Sequence, residues 1–355
     1  MVSGISVSNI GHRHPKVIEA IHKQAENYLY LNVYGEFIQT PQVQLAKRLA
    51  GILGPLLDTV YFVNSGSEAI EGALKLAKRF TGRQELISFR NAYHGSTHGA
   101  LSILGNEELK NAFRPLLPDI RQLNFNDFGD LQKITCKTAC VVTETIQAEA
   151  GIVKPLPGFL MALRQRCSET GTLLIIDDVQ MGFGRTGKIF SHEHFGLVPD
   201  ILVLAKAMGA GLPLGAFISS HEIMRTLAFN PELGHITTFG GHPLSCAAAL
   251  AGLDVLLVND LVDSAEKKGL SIEQTLIDHP GIQGLRRAGL ALGVDLKDTG
   301  KRQKFSETAL QEGIIIDWYL FKQATFRIAP PLTITETEIH KACDKLIKAL
   351  NQIIA

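Results

Sequence analysis

Two apolar runs, each ending in a charged residue, constrain the fold of this 355-residue chain more than any other feature. Residues 173–176 end at Asp177, and residues 201–205 end at Lys206. Short continuous apolar runs are typical of parallel strands that are buried on both faces. Because parallel strands of one sheet end at the same edge, we expect the acid and the amine to lie close together. The alternative is two ordinary strands whose terminal charges are solvated.

The rest of the chain alternates strand-like and helix-like segments separated by short Gly and Pro punctuation. This order is typical of a parallel α/β architecture. The predicted helices cover residues 15–28, 68–80 and 160–170, and the predicted strands cover residues 61–63, 86–89, 140–143 and 173–176.

From about residue 247 the pattern changes to long helices, followed by a β-like stretch at residues 289–296. A terminal helix should start near Thr335, because Thr335 and Glu338 have the spacing of a capping box. We therefore predict a short N-terminal segment, a large domain and a C-terminal small domain. Their predicted bounds are residues 1–14, 15–246 and 247–355.

The composition argues against several classes of partner. Basic and acidic residues balance at 35 each, so no charge excess favours nucleic acid or an anionic membrane. No apolar stretch approaches the roughly twenty residues of a membrane span, and the start lacks a signal-peptide pattern. The five cysteines form no CxxC pair and the twelve histidines lack metal-ligand spacing. We therefore expect reduced thiols, no metal and a cytoplasmic protein.

An acid and a lysine at one sheet edge are the pair that a pyridoxal phosphate enzyme needs. A carboxylate keeps the pyridine nitrogen protonated, and a lysine amine forms the Schiff base. Residues 65–68 add a second feature, because backbone N–H groups at a strand-to-helix junction can face an anion. Gly66 allows close approach, and Ser65 and Glu68 have capping-box spacing. A capped helix without a ligand is the alternative for this tetrapeptide.

Residues 177–187 read Asp-Asp-Val-Gln-Met-Gly-Phe-Gly-Arg-Thr-Gly. This segment resembles the signature of class III aminotransferases, the pyridoxal-phosphate family of ornithine, acetylornithine and 4-aminobutyrate aminotransferases. Further ordered matches lie at residues 11–15, 64–69, 93–95, 144–149, 199–206, 238–241 and 327–331. The resemblance implies an α/β, fold-type-I architecture: a large domain with a mainly parallel seven-stranded sheet and a smaller α+β C-terminal domain.

The resemblance also implies the residues of the cofactor site. Lys206 would carry the cofactor and shuttle a proton, while Asp177 would pair with the pyridine nitrogen. Tyr93 would stack on the ring and Gln180 would bond to the phenolic oxygen; a core tyrosine and a loop amide are the alternatives. The phosphate would be held by Ser65, Gly66 and Ser67, and by Thr238 of the neighbouring subunit. The active site would then exist only in a homodimer.

Substrate recognition is implied at two further positions. Arg327 matches the arginine that grips the α-carboxylate of 2-oxoglutarate or glutamate through a bidentate fork. Glu149 matches the glutamate that pairs with this arginine when a donor with a terminal amine is bound. A structural ion pair without a gating role is the alternative.

The implied reaction is a ping-pong transfer of a terminal amino group from an acetylornithine-like donor to 2-oxoglutarate. 4-Aminobutyrate, lysine, diamines and β-amino acids remain open as donors. A pyridoxal-phosphate racemase or mutase of the same fold is the alternative enzyme, and it should lack the Glu149–Arg327 pair.

The chain departs from the family pattern at several positions. Ser96 replaces an arginine that binds a distal carboxylate, and a serine there would lose a charge-assisted pair worth about 1.5–3 kcal/mol. Ile5 stands where ornithine aminotransferases carry a substrate-binding tyrosine. Asp178 replaces a glutamate and His242 replaces an asparagine. The chain also opens within the Gly-Ile-x-Val segment, so we expect either a barer substrate entrance or a misplaced start codon.

Overall fold

A seven-stranded sheet lies at the centre of the structure, a computed structural model that describes residues 1–33, 35–258 and 260–354. Its strands are β1 (Thr59–Val63), β2 (Glu85–Phe89), β3 (Ile120–Leu123), β4 (Thr138–Thr143), β5 (Leu173–Asp177), β6 (Ile201–Leu204) and β7 (Gly215–Ser219). The spatial order is β1-β7-β6-β5-β4-β2-β3. β7 runs antiparallel to β1 and β6, and the other neighbours are parallel. The predicted mainly parallel sheet is confirmed.

The two apolar runs became strands buried on both faces. In β5, Leu174 and Ile176 join the hydrophobic cluster on one face of the sheet, and Ile175 joins the cluster on the other face. Successive side chains of a strand point to opposite faces, so a strand covered on both sides must be apolar at every position. Fully burying each such side chain contributes about 1.5–3 kcal/mol.

Helices cover both faces of this sheet and build the C-terminal part. They are α1 (Ser3–Ser6), α2 (Pro15–Asn27), α3 (Thr40–Leu53), α4 (Gly66–Thr81), α5 (His98–Ile103), α6 (Phe159–Thr170), α7 (His221–Met224), α8 (Pro243–Val258), α9 (Ser264–Leu276), α10 (Arg302–Gln311) and α11 (Glu336–Ile354). The predicted helices correspond to α2, α4 and α6. The sequence assigned neither α3 nor strands β3 and β7. No helix in the described ranges has the length and apolar character to cross a membrane.

A second, four-stranded antiparallel sheet follows in the C-terminal part. Its strands, in the order β10-β11-β9-β8, are β8 (Ile282–Ala288), β9 (Ala291–Leu296), β10 (Asp317–Trp318) and β11 (Thr325–Ile328). The β-like stretch predicted near residues 289–296 corresponds to β9, and Gly289, with φ +56°, lies in the turn of the β8–β9 hairpin. The sequence missed β8, whose interior positions are only half-buried.

The N-terminal segment bonds to the residues that follow β11 of this second sheet. The N–H groups of Ala329 and Leu332 donate to the carbonyl oxygens of Met1 and Asn9, each at 2.7 Å. Helix α8 begins at Pro243 and packs against α2 and α3. The predicted boundary between residues 246 and 247 therefore falls inside a helix, and the division into domains stays a prediction.

Candidate active site

A cavity of about 700 Å³ opens where the parallel strands end, and most of the predicted site residues line it. They are Ser65, Gly66, Ser67, Tyr93, Glu149, Asp177, Gln180 and Lys206. β5 ends at Asp177, β6 ends just before Lys206, and α4 begins at Gly66 beside them. Convergent strand ends are the usual place for a ligand in an open α/β sheet.

Lys206 lines this cavity in a strained conformation. Its φ is +50°, a left-handed value that costs energy for a residue with a side chain. Its Nζ donates a hydrogen bond to Gln180 Oε1 at 2.8 Å. Burial lowers the pKa of Lys206, so the amine is neutral, and hence nucleophilic, at a lower pH than an ordinary lysine.

Asp177 is buried and held from two sides. Its Oδ1 accepts from the backbone N–H of Val179 at 3.1 Å, and its Oδ2 accepts from His94 Nδ1 at 2.8 Å. Both bonds fix the orientation of the carboxylate. His94 also lines the cavity, and the sequence analysis gave it no role although it stands in a matched motif. Its position just after β2, beside Tyr93, was the available signal.

The start of α4 forms a cradle for an anion. Ser65 is the N-cap residue, and its side chain accepts from the N–H of Glu68. Glu68 Oε2 accepts from Asn64 N at 2.8 Å, so the predicted capping box is only half formed. The first N–H groups of a helix lack intrahelical acceptors and attract negative charge. A Cβ atom on Gly66 would lie 3.1 Å from Val179 Cγ1, so the close packing favours glycine here.

The loop after β2 is tied to α4 by hydroxyl groups. Ser67 Oγ accepts from the N–H groups of Ser96 and Thr97, each at 3.1 Å. Thr97 Oγ1 donates to Glu71 Oε1 at 2.6 Å, and Tyr93 OH lies 3.0 Å from Ser96 Oγ. Ser96 is thereby held at the cavity wall, where it offers a neutral hydroxyl. Among the described residues that line the cavity, Lys206 is the only lysine or arginine.

Glu149 and Arg327 form a buried ion pair at one end of the cavity. Arg327 Nη2 donates to both carboxylate oxygens of Glu149, at 2.7 and 3.0 Å. Burial lowers the pKa of Arg327, but the charge of Glu149 outweighs it and holds that pKa above its usual value. Arg327 Nη1 is buried without a hydrogen-bond partner among the described residues, and the guanidinium carbon lies 4.5 Å from the Tyr319 ring centroid. Glu149 lines the cavity and Arg327 lies behind it.

Glu144 is a second residue without a role in the sequence analysis. It lines the cavity, is 5% exposed and accepts from Ala148 N at 2.8 Å. Burial raises its pKa well above the usual value, and the charge of Asp177 raises it further. Glu144 therefore holds its proton at a higher pH than an ordinary glutamate.

Besides Arg327, two predicted site residues lie outside the cavity. Ile5 is 39% exposed in the left-handed turn α1, and Val7 lines the cavity instead. Thr238 does not line the cavity of its own chain, and its carbonyl oxygen accepts from Tyr30 OH at 2.7 Å.

Two of the departures from the family pattern, Asp178 and His242, form local hydrogen bonds. Asp178 points into the core and accepts from Ser191 N at 2.9 Å, and His242 Nδ1 accepts from Leu244 N at 3.2 Å at the start of α8.

Comparisons with known proteins agree with this geometry. The Aminotransferase class-III family model matches residues 1–350. The chain is 39% identical to acetylornithine aminotransferase from Methanopyrus kandleri, over 99% of this chain and 89% of that relative. The ornithine aminotransferase of Toxoplasma gondii superimposes with a TM-score of 0.91 at 31% identity, covering 99% of this chain and 86% of that one. An (S)-enantioselective omega-transaminase from Thermomicrobium roseum superimposes with a TM-score of 0.91 at 30% identity, covering 99% and 88%. The chain belongs to the class III aminotransferase family.

Members of this family are transferases that use pyridoxal phosphate, and the T. gondii structure contains that cofactor in its active site. The cavity fits the same cofactor on its own chemistry. It combines a buried amine, an oriented carboxylate and a helix start packed too closely for a side chain at Gly66. A phosphate, a basic ring nitrogen and an aldehyde each find a matching group.

Proposed function

We propose that the enzyme transfers the terminal amino group of an acylated-ornithine-like donor to 2-oxoglutarate by a ping-pong mechanism. The Glu149–Arg327 pair is the observation that carries this proposal. Arg327 Nη1 has no acceptor among the described residues, so the guanidinium can take a carboxylate as a fork once Glu149 turns away. With Glu149 in place, that end of the cavity presents an acid, which suits a donor with no carboxylate beside its reacting amine.

The same pair favours aminotransfer over racemase or mutase chemistry. A ping-pong aminotransferase must bind two unlike substrates in one cavity, one with and one without a carboxylate next to the reacting carbon. Arg327 can bind the carboxylate of one substrate when Glu149 turns away, and Glu149 can cover Arg327 when the substrate has no carboxylate there. A racemase acts on one kind of substrate and has no use for such a pair.

The cofactor-binding roles follow from the lining of the cavity. When bound, pyridoxal phosphate supplies an aldehyde that takes up the amino group and a ring that withdraws electrons. Ser65, Gly66 and Ser67 at the start of α4 would hold its phosphate. Asp177, oriented by His94, would hold a proton on the ring nitrogen. Tyr93 would cover one face of the ring, and Gln180 would bond to the phenolic oxygen.

Lys206 has two roles in this proposal. Its neutral amine, favoured by burial, holds the cofactor until the donor arrives. Its Nζ then accepts the proton from the substrate carbon that bears the amino group. Gln180, already in contact with Nζ, keeps the amine on the cavity side during this exchange.

We also propose a homodimer in which Thr238 completes the phosphate site of the partner. Leu29, Ile38 and Phe239 are 56%, 91% and 56% exposed. The bond from Tyr30 OH to the Thr238 carbonyl joins the two segments that carry them. A second copy covering these apolar side chains would bring Thr238 to a neighbouring cavity.

The cysteines are free thiols, which supports the predicted cytoplasmic location.

A second group of donors is favoured by Ser96. The hydroxyl at this wall and the absence of another lysine or arginine among the described lining residues suit donors whose far end carries no carboxylate. Diamines and simple ω-amines belong to this group. Acylated ornithine would need its carboxylate to be held by another group, such as one from the partner subunit.

A half-reaction screen tests the donor. The pyridoxal form would be mixed separately with N-acetylornithine, 4-aminobutyrate, lysine, putrescine, β-alanine and glutamate, while loss of the cofactor's visible absorbance is followed. We expect at least one ω-amine and glutamate to react. The Glu149→Gln variant, which removes the covering charge, should lose rate with the ω-amine more than with glutamate.

Two outcomes would contradict the proposal. Reaction with α-amino acids alone would exclude the ω-amine donor. Failure of borohydride to fix the cofactor on Lys206, seen by mass spectrometry of the digested protein, would exclude the role of that lysine. Lys297→Ala, at an exposed lysine, is the matched control for Lys206→Ala, which should abolish trapping and turnover while the far-UV spectrum stays unchanged.

A further inference from the structure

The loop that carries Glu149 is held at its tip by the C-terminal sheet. Gln147 and Val153 pair through two backbone hydrogen bonds of 3.0 Å, so the residues between them form a closed turn. The carbonyl oxygens of Glu149 and Gly151 and the carboxylate of Glu149 accept hydrogen bonds from the β8–β11 sheet and its turns. We call residues 147–153 the gate loop.

Arg286 of β8 contacts the main chain of the gate loop. Its Nε donates to the carbonyl oxygen of Gly151 at 2.5 Å. Its two terminal nitrogens bind Asp295 of β9 as a fork, at 2.6 and 2.8 Å. Lys322 Nζ donates to the same carboxylate at 3.0 Å. The fork fixes the guanidinium plane, so Arg286 holds the gate loop at one defined position.

The turn between β10 and β11 makes the other contacts. The N–H of Phe321 donates to the carbonyl oxygen of Glu149, and the N–H of Leu320 donates to its carboxylate, each at 3.1 Å. Gly151 has φ +88°, and a Cβ atom there would lie 3.1 Å from Arg286 Nη2. The gate loop and the sheet are therefore packed closely enough that the main chain of Glu149 cannot shift independently.

We propose that Arg286 is a positioning residue that sets the balance between the two substrate classes by holding Glu149 over Arg327. This inference rests on the proposed function. With the gate loop fixed, uncovering Arg327 takes only a rotation of the Glu149 side chain, at the cost of its bonds to Arg327 and to Leu320 N. If the gate loop is released, the Glu149 carboxylate no longer contacts Arg327, and Arg327 stays free to bind a substrate carboxylate.

Release of the loop should affect the two half-reactions in opposite directions. An ω-amine donor needs the acid in place and should react less efficiently, mainly through a higher KM. Glutamate and 2-oxoglutarate need Arg327 uncovered and should bind as well as before or better. A loss of fold would instead lower both half-reactions together, which separates positioning from a structural role.

The test compares Arg286→Met with Arg287→Met in the cofactor-loaded enzyme. Arg287 is the matched control, because its side chain pairs with Glu273 and Glu266 of α9 and does not contact the gate loop. For Arg286→Met, we expect the ratio of ω-amine to glutamate kcat/KM to fall about tenfold, the scale of a small misplacement near a reacting centre. Arg287→Met should leave the ratio unchanged. Arg286→Lys should restore part of it.

Binding of glutarate, a dicarboxylate that cannot react, gives a readout independent of turnover. Calorimetry should show tighter binding to Arg286→Met than to the unmodified enzyme. Asp295→Asn, which keeps the shape but weakens the fork, should shift the ratio the same way if Arg286→Met fails to fold. An equal change in both half-reactions, or the same ratio change in Arg287→Met, would overturn the inference. If the unmodified enzyme reacts with no ω-amine, the proposed function is what fails.

Discussion

Adjacent acids at the end of β5 face opposite sides and do different chemistry. Asp177 lines the cavity and is oriented by His94, whereas Asp178 is fully buried and bonds to Ser191. Burial raises the pKa of Asp178 to about 7, while the bonds from Ser191 partly offset this rise. The alternation of side chains along a strand places neighbours in different surroundings, so one residue step separates a site acid from a core acid.

Replacing Asp177 by Asn should slow the chemical step without unfolding the enzyme. The neutral Asn side chain has no negative charge to stabilise the protonated pyridine nitrogen of the cofactor. We therefore expect the half-reaction rate to fall by at least about a hundredfold. Stopped-flow absorbance with glutamate measures this rate. Asp178→Asn is the control and should keep most of the rate. Similar rates in both variants would contradict the role of Asp177.

Asp178 should make stability depend on pH. The folded state keeps the Asp178 proton up to about pH 7, whereas the unfolded chain releases it near its ordinary pKa of 3.8. Above pH 3.8 the folded state therefore binds more protons, and stability falls as pH rises until about pH 7. Relative to Asp178→Asn, the free energy of unfolding should fall by on the order of 3 kcal/mol between pH 5 and 8. Denaturant melts of both proteins measure the difference, and a flat difference would contradict the assignment.

Helix starts show how elements combine local and tertiary requirements. In α11, Thr335 and Glu338 form the complete capping box that their spacing predicted, with bonds of 2.8 and 3.2 Å. In α4, Ser65 caps the helix, but Glu68 turns to Asn64, the residue before the cap. The surface helix follows the local rule, and the helix at the cavity departs from it.

The capping box of α11 gives a simple stability test. Thr335→Ala removes the acceptor for the N–H of Glu338, so the free energy of unfolding should fall by about 1 kcal/mol. Glu336→Gln changes the next residue without touching the box and should be close to neutral. Thermal melts of the two variants give the comparison. Equal melting temperatures would show that this cap adds nothing to stability.

The start of α4 gives a matching test for the cofactor cradle. In Gly66→Ala, the new Cβ would lie within 3.1–3.4 Å of Val179 and Ala205, so either these side chains or the helix start must move by a few tenths of an ångström at the cavity. We expect the Kd for pyridoxal phosphate to rise about tenfold, the effect of a small displacement in a preorganised site. Gly51→Ala in α3, where a Cβ meets nothing within 4 Å, is the control. Unchanged cofactor titrations for Gly66→Ala would contradict the cradle.

The whole molecule leaves apolar side chains exposed next to Thr238, which the proposed homodimer would cover. Ile38→Glu places a charge where 91% of the side chain is exposed in the single chain. If a second copy covers Ile38, sedimentation velocity should show that the variant is a monomer. The variant should also bind the cofactor more weakly, because Thr238 no longer reaches the phosphate site of a partner subunit. Leu310→Glu, at a side chain 64% exposed on α10, is the control and should leave the assembly unchanged. A dimeric Ile38→Glu variant would exclude this face.

Prediction from the sequence succeeded where a residue's role depends on its neighbours along the chain. The apolar runs of β5 and β6, the helix α2 and the cap of α11 each need only local spacing. Prediction failed where the partner is distant. His94 and Asp177 are 83 positions apart, and no local pattern marks the histidine as a partner of the acid. Ile5 was expected at the cavity, but the left-handed turn around it brings Val7 there.

The sequence by itself determined that parallel strands end in an acid and a lysine, because strand period and apolar content are properties of short segments. The pair of Glu149 and Arg327, 178 positions apart, was implied by the family resemblance and by no local pattern. Only the tertiary structure showed that Arg286 holds the gate loop from another sheet. Such contacts form when elements pack, and packing depends on the summed shape and burial of many side chains. We therefore expect the chemistry of this enzyme to depend on the residues at its strand ends, and its choice of substrate to depend on the contacts between the two sheets.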